Sequence, residues 1–309
     1  MRIPEILAGP EPCFSFEFFP PKTDEGVEAL FESVADLNRL KPGFVSVTYG
    51  AAGSTREGTV EVTTRIKREY GIETMAHLSC VGETIEGLEA ILARFAAAGI
   101  ENILALRGDP PRGERDFTPA PGGLRSSAEL AAFIRGRELT SGFGIGASCF
   151  PEIHPEAKSA DADVAFLREK VEAGAEFLIS QLFFDNEVYF RWLAEVREAG
   201  IEVPVIPGIL PIISRQGLHN FCSVCEARIP ERLDRQLAVL DGDPDAERAF
   251  GIAYAARQCE QLLAAGAPGI HFFVLNRAVS VKAVLGALQA ARPWDRARGE
   301  EIEALRAAG

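Results

Sequence analysis

No stretch of this chain approaches the ~18 consecutive apolar residues of a membrane helix, and Met1 to Pro12 hold no apolar signal-peptide core. Cations are scarce: 32 Lys and Arg face 45 Asp and Glu, for a formal charge of −13. That balance argues against a nucleic-acid surface and against docking on anionic lipid, though a local cluster of cations would suffice for a small anionic ligand. The expectation is a soluble, cytoplasmic protein with neither a nucleic-acid nor a membrane partner. Cysteine is thin and scattered, at 13, 80, 149, 222, 225 and 259. Only Cys222 and Cys225 have ligand-like spacing, and no second Cys-x-x-Cys or His pair completes a zinc site. Both fit one face of a helix, where small core-facing residues are the simpler reading. No metal is expected. A Gly-x-Gly-x-x-Gly after the first strand is also missing, which weakens a Rossmann reading.

What is present is a repeated strand-then-helix pattern in a chain that is 47% hydrophobic and long enough to bury a sizeable core. Predicted strands are Phe14–Phe18, Phe44–Thr48, Thr74–Leu78, Asn102–Leu106, Gly144–Cys149, Phe177–Gln181, Pro204–Ile209 and Ile270–Val274. Helical periodicity fills stretches between them, at Asp24–Leu40, Thr59–Tyr70, Thr84–Ala98, Ala162–Ala173 and Val188–Ala199. Gly71, Gly99 and Gly200 stand where left-handed caps would end three of these helices. The α/β pattern predicts a (β/α)8 TIM barrel, one domain over residues 1–309, with a doubly wound open sheet as the alternative.

In such barrels the ligand site lies at the carboxyl ends of the strands. Those ends carry Glu17, Thr48-Tyr49-Gly50, His77, Arg107-Gly108-Asp109, Phe150 with His154, Gln181, and Leu275-Asn276-Arg277. Polar and ionisable groups thus recur at one rim. The first is the most telling. In Phe14-Ser15-Phe16-Glu17-Phe18-Phe19-Pro20-Pro21, alternation sends the phenylalanines at 14, 16 and 18 to one face and Ser15 and Glu17 to the other. Burial there is expected to raise the Glu17 pKa and let it deliver a proton near neutrality; the plain alternative is an ion-paired edge glutamate.

Arg107 can meet a phosphate, and Asp109 can sit beside a developing cation, unless the two form a loop salt bridge. His77 can hydrogen-bond a ligand or be a satisfied core histidine. Gln181 offers a donor and an acceptor to a heterocycle edge, or caps its own strand. The loop Phe150–Lys158 carries one imidazole and two carboxylates, but no partner histidine lies three or four residues away. Asp163 and Lys170 share one helix face, by default a solvated one.

Taken together, FSFEFFPP (14–21), FVSVTYG (44–50), AHLSC (76–80), ALRGDP (105–110), PEIHPEA (151–157), ISQLFFD (179–185), PGILP (207–211) and HFFVLNRA (271–278) resemble the methylenetetrahydrofolate reductases. These are flavoenzymes of folate one-carbon metabolism and methionine biosynthesis, built on the same barrel. The resemblance implies the compact bacterial type, FAD as cofactor, and NADH or NADPH as electron donor. It implies that 5,10-methylenetetrahydrofolate is reduced to 5-methyltetrahydrofolate in a ping-pong scheme. It also implies a homo-oligomer, dimer or tetramer.

Position by position, Glu17 matches the general acid that protonates the folate's tenth-position nitrogen. Asp109 matches the carboxylate near the flavin and the pterin. Gln181, Leu275 and Arg277 match folate-binding positions, with Arg277 near the glutamate tail. Thr48, His77, Arg107, Gly108, Asp109, Phe150, His154, Asp163 and Lys170 match positions that hold FAD.

Three positions depart from the family pattern. Phe150 replaces a usual tyrosine, Ser126-Ser127 a common Tyr-Ala pair, and Arg215 an aromatic that stacks on the nicotinamide dinucleotide. An arginine at 215 could favour the extra phosphate of NADPH. Two other functions fit less well: a non-catalytic flavin- or folate-binding barrel, and a zinc-dependent methyltransferase on the same fold. The latter would need three thiols at strand ends, where only Cys80 and Cys149 lie.

Overall fold

The computed structural model describes residues 1–21, 23–48, 56–109 and 118–295. Tyr49, Gly50, Pro110 and Pro111 lie outside the described residues. The elements run α1 (Ile3–Leu7), β1 (Cys13–Phe18), α2 (Asp24–Asn38), β2 (Phe44–Val47), α3 (Arg56–Tyr70), β3 (Thr74–Ser79), α4 (Ile85–Ala97), β4 (Asn102–Leu106) and α5 (Ser127–Arg135). They continue with β5 (Gly144–Cys149), α6 (Ala160–Glu172), β6 (Phe177–Ser180), α7 (Asn186–Glu198), β7 (Val205–Ile206) and β8 (Gly208–Ile209). Three helices follow, α8 (Arg215–Cys225), α9 (Glu231–Ala238) and α10 (Pro244–Ala264), then β9 (Gly269–Phe273) and α11 (Ala278–Ala291).

Local chemistry fixes many of the boundaries. Helices begin where a Ser or Thr hydroxyl accepts an early backbone N–H: Thr23 from Gly26, Thr84 from Gly87, Ser126 from Glu129, Ser159 from Ala162 and Ser214 from Gly217. Gly71, Gly99 and Gly200 take the predicted left-handed conformation, with φ of 67°, 73° and 79°.

All strand pairs are parallel, in the order β7-β6-β5-β4-β3-β2-β1-β9-β8. β7 pairs with β6 and β8 pairs with β9, so the short run from Val205 to Ile209 closes the ring as a (β/α)8 TIM barrel. Its predicted seventh strand, Pro204–Ile209, is therefore two fragments. Pro207 has no N–H to give a ladder, but its carbonyl accepts from His271 N at 3.0 Å. The Ser180 hydroxyl then receives Gly208 N–H at 2.9 Å and holds the joint.

Alternation along the strands sorts the core into layers. Outward-facing Phe16, Phe18, Val45, Val47, Leu178 and Phe272 pack beneath the helices. Inside the barrel, at the amino ends of the strands, Cys13, Phe44, Met75, Leu104, Phe177 and Ile206 form an apolar plug with Ile3 and Leu7 of α1. Gly146 leaves room for it: a Cβ there would lie 2.6 Å from the Phe177 ring. Among the described residues no helix is long and apolar enough to cross a membrane.

Candidate active site

Above the plug the barrel interior turns polar. Parallel register sets Glu17 beside Ser46 on β2 and Phe273 on β9, and Ser15 beside His271. Glu17 is 6% exposed and His271 fully buried. His271 Nε2 lies 3.2 Å from Glu17 Oε2, and its Nδ1 lies 2.8 Å from the Ser15 hydroxyl. The Ser46 hydroxyl reaches the same carboxylate oxygen at 3.5 Å. His77 Nε2 is 3.4 Å from it but out of line for a hydrogen bond, and is buried with no hydrogen-bond partner among the described residues. His271, Ser46 and His77 converge on Oε2, with Ser15 behind His271.

The direction of the Glu17 pKa corrects the sequence expectation. Burial is the largest single influence and pushes it up. The His77 ring, the hydrogen bond and charge of His271, and the Ser46 hydroxyl together outweigh it, holding the carboxyl below the usual glutamate value. Burial pushes His77 down, against the pull of Glu17. Glu17 is therefore an anion held by imidazoles. It is neither an isolated protonated acid nor a solvent-facing edge residue.

A second group gathers beyond β4 and β5. Gly108 has a φ of 86°, and a Cβ would come 2.4 Å from Val81, so only glycine makes this turn without strain. The turn is tied to the β3 loop by Val81 N–H donating to Arg107 O at 2.9 Å. In place of the alternative loop salt bridge with Asp109, the Arg107 guanidinium forks onto Glu156, with Nη2 2.8 Å from Oε1. Asp109 is exposed.

The His154 N–H donates to Asp163 at 2.9 Å, and its Nδ1 accepts the Glu156 N–H at 3.1 Å. The Phe150 ring meets the His154 ring edge-on at 4.5 Å. Lys170 does not lie on a solvated face: it is 4% exposed, its Nζ donates to Ser148 O at 2.8 Å, and burial pushes its pKa down. Ile153, β-branched, holds a φ of 70° in the middle of this loop, the kind of strain that clusters at functional sites.

The third group lies on the opposite side. Leu275 and Asn276 carry φ of 50° and 56°, a two-residue left-handed turn after β9. Asn276 stabilises it by giving and taking hydrogen bonds with the Phe19 backbone at 2.9 and 3.0 Å, which ties the end of β9 to the end of β1. Leu275 and Arg277 then border a cavity of about 300 Å³ with Leu210, Pro211, Ile213 and Phe221. Arg215 does not line it; its guanidinium grips Asp234 of α9 at 2.9 and 3.0 Å, and His219 meets the same carboxylate at 2.7 Å. A cofactor phosphate at Arg215 would have to displace Asp234. Gln181 sits at the end of β6, where its Oε1 accepts the Leu182 N–H at 2.9 Å, and Thr48 follows β2 with its carbonyl held by Thr59.

Sequence reasoning missed His271 and Ser46 as partners of Glu17, and Ser15 as the partner of His271. The signal was alternation: Ser15, like Glu17, points inward, and His271 occupies the equivalent inward position on the neighbouring strand. Cys222 and Cys225 behave as expected for core-facing residues, with Cys222 buried among Leu218, Leu233 and Leu237. Burial pushes the Cys80 thiol up to about 11.

The family model for methylenetetrahydrofolate reductase matches residues 2–289. The chain belongs to the methylenetetrahydrofolate reductase family. It is 38% identical to 5,10-methylenetetrahydrofolate reductase of Escherichia coli and 39% to that of Salmonella typhimurium, in each case over 85% of this chain and 86% of the relative. It is 35% identical to methylenetetrahydrofolate reductase (NADH) 1 of Arabidopsis thaliana over 96% of this chain, and spans about half (52%) of that protein. A solved structure from Clostridium thermocellum, described as an uncharacterized protein that binds two copies of 5-methyl-5,6,7,8-tetrahydrofolic acid, superposes with a TM-score of 0.60 at 16% identity. It covers 92% of this chain and 95% of its own, and shows the fold alone. Within the family frame, Glu17, Arg107-Gly108-Asp109 and Leu275-Asn276-Arg277 stand at the carboxyl ends of the barrel strands, where function concentrates in this fold.

Proposed function

We propose that the protein reduces 5,10-methylenetetrahydrofolate to 5-methyltetrahydrofolate, with FAD as cofactor and NADH or NADPH as donor. The observation that carries this is the buried Glu17 carboxylate at the open end of the barrel, joined to His271 and Ser46, with Ser15 behind His271, and faced by His77. The residues present suit a flavin dinucleotide. Arg107 supplies a guanidinium beyond β4, and the positive-φ turn at Gly108 sets the end of that strand. The His154 ring, whose Nδ1 accepts a backbone N–H, offers its other nitrogen, and the buried His77 Nε2 has no hydrogen-bond partner among the described residues. Thr48, Phe150, Asp163 and Lys170 complete the proposed binding set.

Bound there, FAD supplies the relay of hydride from nicotinamide to the folate's methylene carbon. The chain's own work is to position and to move a proton. Folate enters beside Gln181, with its glutamate tail toward Leu275 and Arg277. Glu17 protonates the tenth-position nitrogen, the bond from that nitrogen to the methylene breaks, and a cationic iminium remains on the other nitrogen. Asp109 faces that cation and stabilises it. Because Glu17 rests as an anion, the proton it delivers must reach it from its surroundings. Solvent at the barrel mouth supplies it before the ligand closes that mouth. The bound ligand then strengthens the carboxylate's hold on the proton by desolvating it, with His271 and Ser15 keeping the carboxylate in place. The same reading takes residues 1–309 as one catalytic domain, working as a cytoplasmic homo-oligomer; light scattering of the purified protein tests the assembly.

The test is Glu17→Gln, which keeps the shape and removes the acid. Folate-dependent turnover is expected to fall about 10²–10⁴-fold while the protein still binds FAD. Full folate reduction by the variant would remove Glu17 from the chemistry. Flavin binding with no folate reduction in the wild type would instead favour a non-catalytic barrel.

A further inference from the structure

The loop between β5 and α6 places one of its own carboxylates where an anionic ligand is expected. Arg107 Nε donates to its neighbour's carbonyl, Gly108 O, at 3.2 Å, so the end nitrogens form the fork available to an oxyanion. Both of them contact Glu156. The Arg107 guanidinium holds the Glu156 carboxyl below the usual range, so it is a full negative charge. The two sides differ in exposure: the Glu156 side chain is 54% exposed and that of Arg107 25%. The Glu156 backbone is fixed to His154, both by its own N–H on Nδ1 at 3.1 Å and by Ala157 N–H on the carbonyl at 2.8 Å. The carboxylate can therefore leave by rotating about side-chain bonds, with the loop unchanged.

We propose that Glu156 is an internal occupant of the Arg107 anion site, which the diphosphate of FAD must displace in order to bind. This deepens the flavin reading above and rests on it. A diphosphate brings two charges against one and can take a further hydrogen bond from the His154 ring, whose Nδ1 already accepts, so it wins the exchange. Until it arrives, Glu156 keeps Arg107 aimed and partnered, and its charge slows and weakens the approach of any anion. Glu156 thereby sets how fast and how tightly the cofactor loads.

Flavin fluorescence quenching and stopped-flow mixing on the full chain freed of flavin test this. FAD is the probe, and riboflavin, which lacks phosphate, is the control. Glu156→Gln is expected to bind FAD about three- to fivefold more tightly and to associate faster, the size of an exposed ion pair. Riboflavin binding is expected to be unchanged. Unchanged or weaker FAD binding in Glu156→Gln overturns the proposal and makes Glu156 a residue that only positions Arg107. An equal gain for riboflavin also overturns it, since the effect would then not concern the phosphates. Wild type and variant both failing to bind FAD would remove the flavin reading itself, and the proposal with it. Glu156→Ala is the second variant if the amide is poorly tolerated; it also removes the charge and is expected to move FAD in the same direction.

Discussion

The two ends of the barrel are built on different terms. At the amino ends of the strands, charge is met by opposite charge and apolar volume fills the interior. The Met1 ammonium meets Glu73 and Glu101, Lys67 meets Glu73, and Arg2 and Arg135 share Glu176. Asn102, fully buried, gives hydrogen bonds to Met1 O and Glu73 and accepts one from Ile3 N–H. At the carboxyl ends one carboxylate oxygen faces two imidazoles and a hydroxyl, and one of those rings, His77, has no hydrogen-bond partner for its Nε2 among the described residues. Ile153, Leu275 and Asn276 sit in left-handed backbone, as Lys41 does at the other end. Among the described residues both ends keep buried polar atoms without a hydrogen-bond partner, Arg2 Nε and the Thr74 hydroxyl at one and His77 Nε2 at the other. The first end, however, is filled by ion pairs and apolar volume that stabilise the fold, whereas the second gathers ionisable groups around an open mouth. The same strands make both ends, and alternation along each strand decides which residue serves which purpose.

Substitutions should separate the two ends. The largest effect expected is on turnover: Glu17→Gln loses about 10²–10⁴-fold in folate reduction with little change in thermal midpoint, measured by steady-state assay beside calorimetry. At the other end Phe177→Ala opens the plug and costs about 3–5 kcal/mol in denaturant unfolding, while turnover per folded molecule stays near that of wild type. Asn102→Ala strands a buried N–H and a carbonyl, and is expected to cost about 1–3 kcal/mol with the same insensitivity of turnover. A large loss of turnover in either amino-end variant, measured well below its midpoint, would break the division.

Gly108→Ala lies between these cases. The positive φ and the contact with Val81 predict a stability loss of about 1–3 kcal/mol together with weakened FAD binding, read by flavin fluorescence.

The smallest effect expected is in acid. Burial holds His77 below the ordinary histidine value, so the unfolded chain takes up a proton that the fold refuses. Stability conferred by keeping it neutral is present above the unfolded value, about 6.5, and is lost as pH falls below it. Wild type is therefore expected to lose more stability between pH 7 and about 5 than His77→Asn does. Equal losses would show that His77 does not titrate against the fold.

The sequence revealed most where a single strand carried the information. Alternation around Glu17 placed it inside the barrel, and the glycines after α3, α4 and α7 marked their ends. What escaped depended on neighbours far apart in the chain. The direction of the Glu17 pKa came out wrong because burial is legible within one strand, whereas His77 and His271 come from β3 and β9. His271 itself reads as one polar residue in an apolar run until register sets it against Ser15. Glu156 read only as one of two carboxylates in the loop after β5, because its partner Arg107 follows a different strand. Pro207 was visible, but that it sits at the barrel's closing joint follows from which strands it lies between.

The most direct test of the proposed chemistry is anaerobic absorption spectroscopy of the FAD-supplemented protein, reduced with NADH or NADPH and then mixed with 5,10-methylenetetrahydrofolate. For wild type, the flavin band is expected to bleach with the nicotinamide and return with the folate. In Glu17→Gln it should bleach as fast and fail to return. Return at the wild-type rate in Glu17→Gln, or no return in the wild type, would contradict the assignment of Glu17 as the acid that opens the folate for reduction.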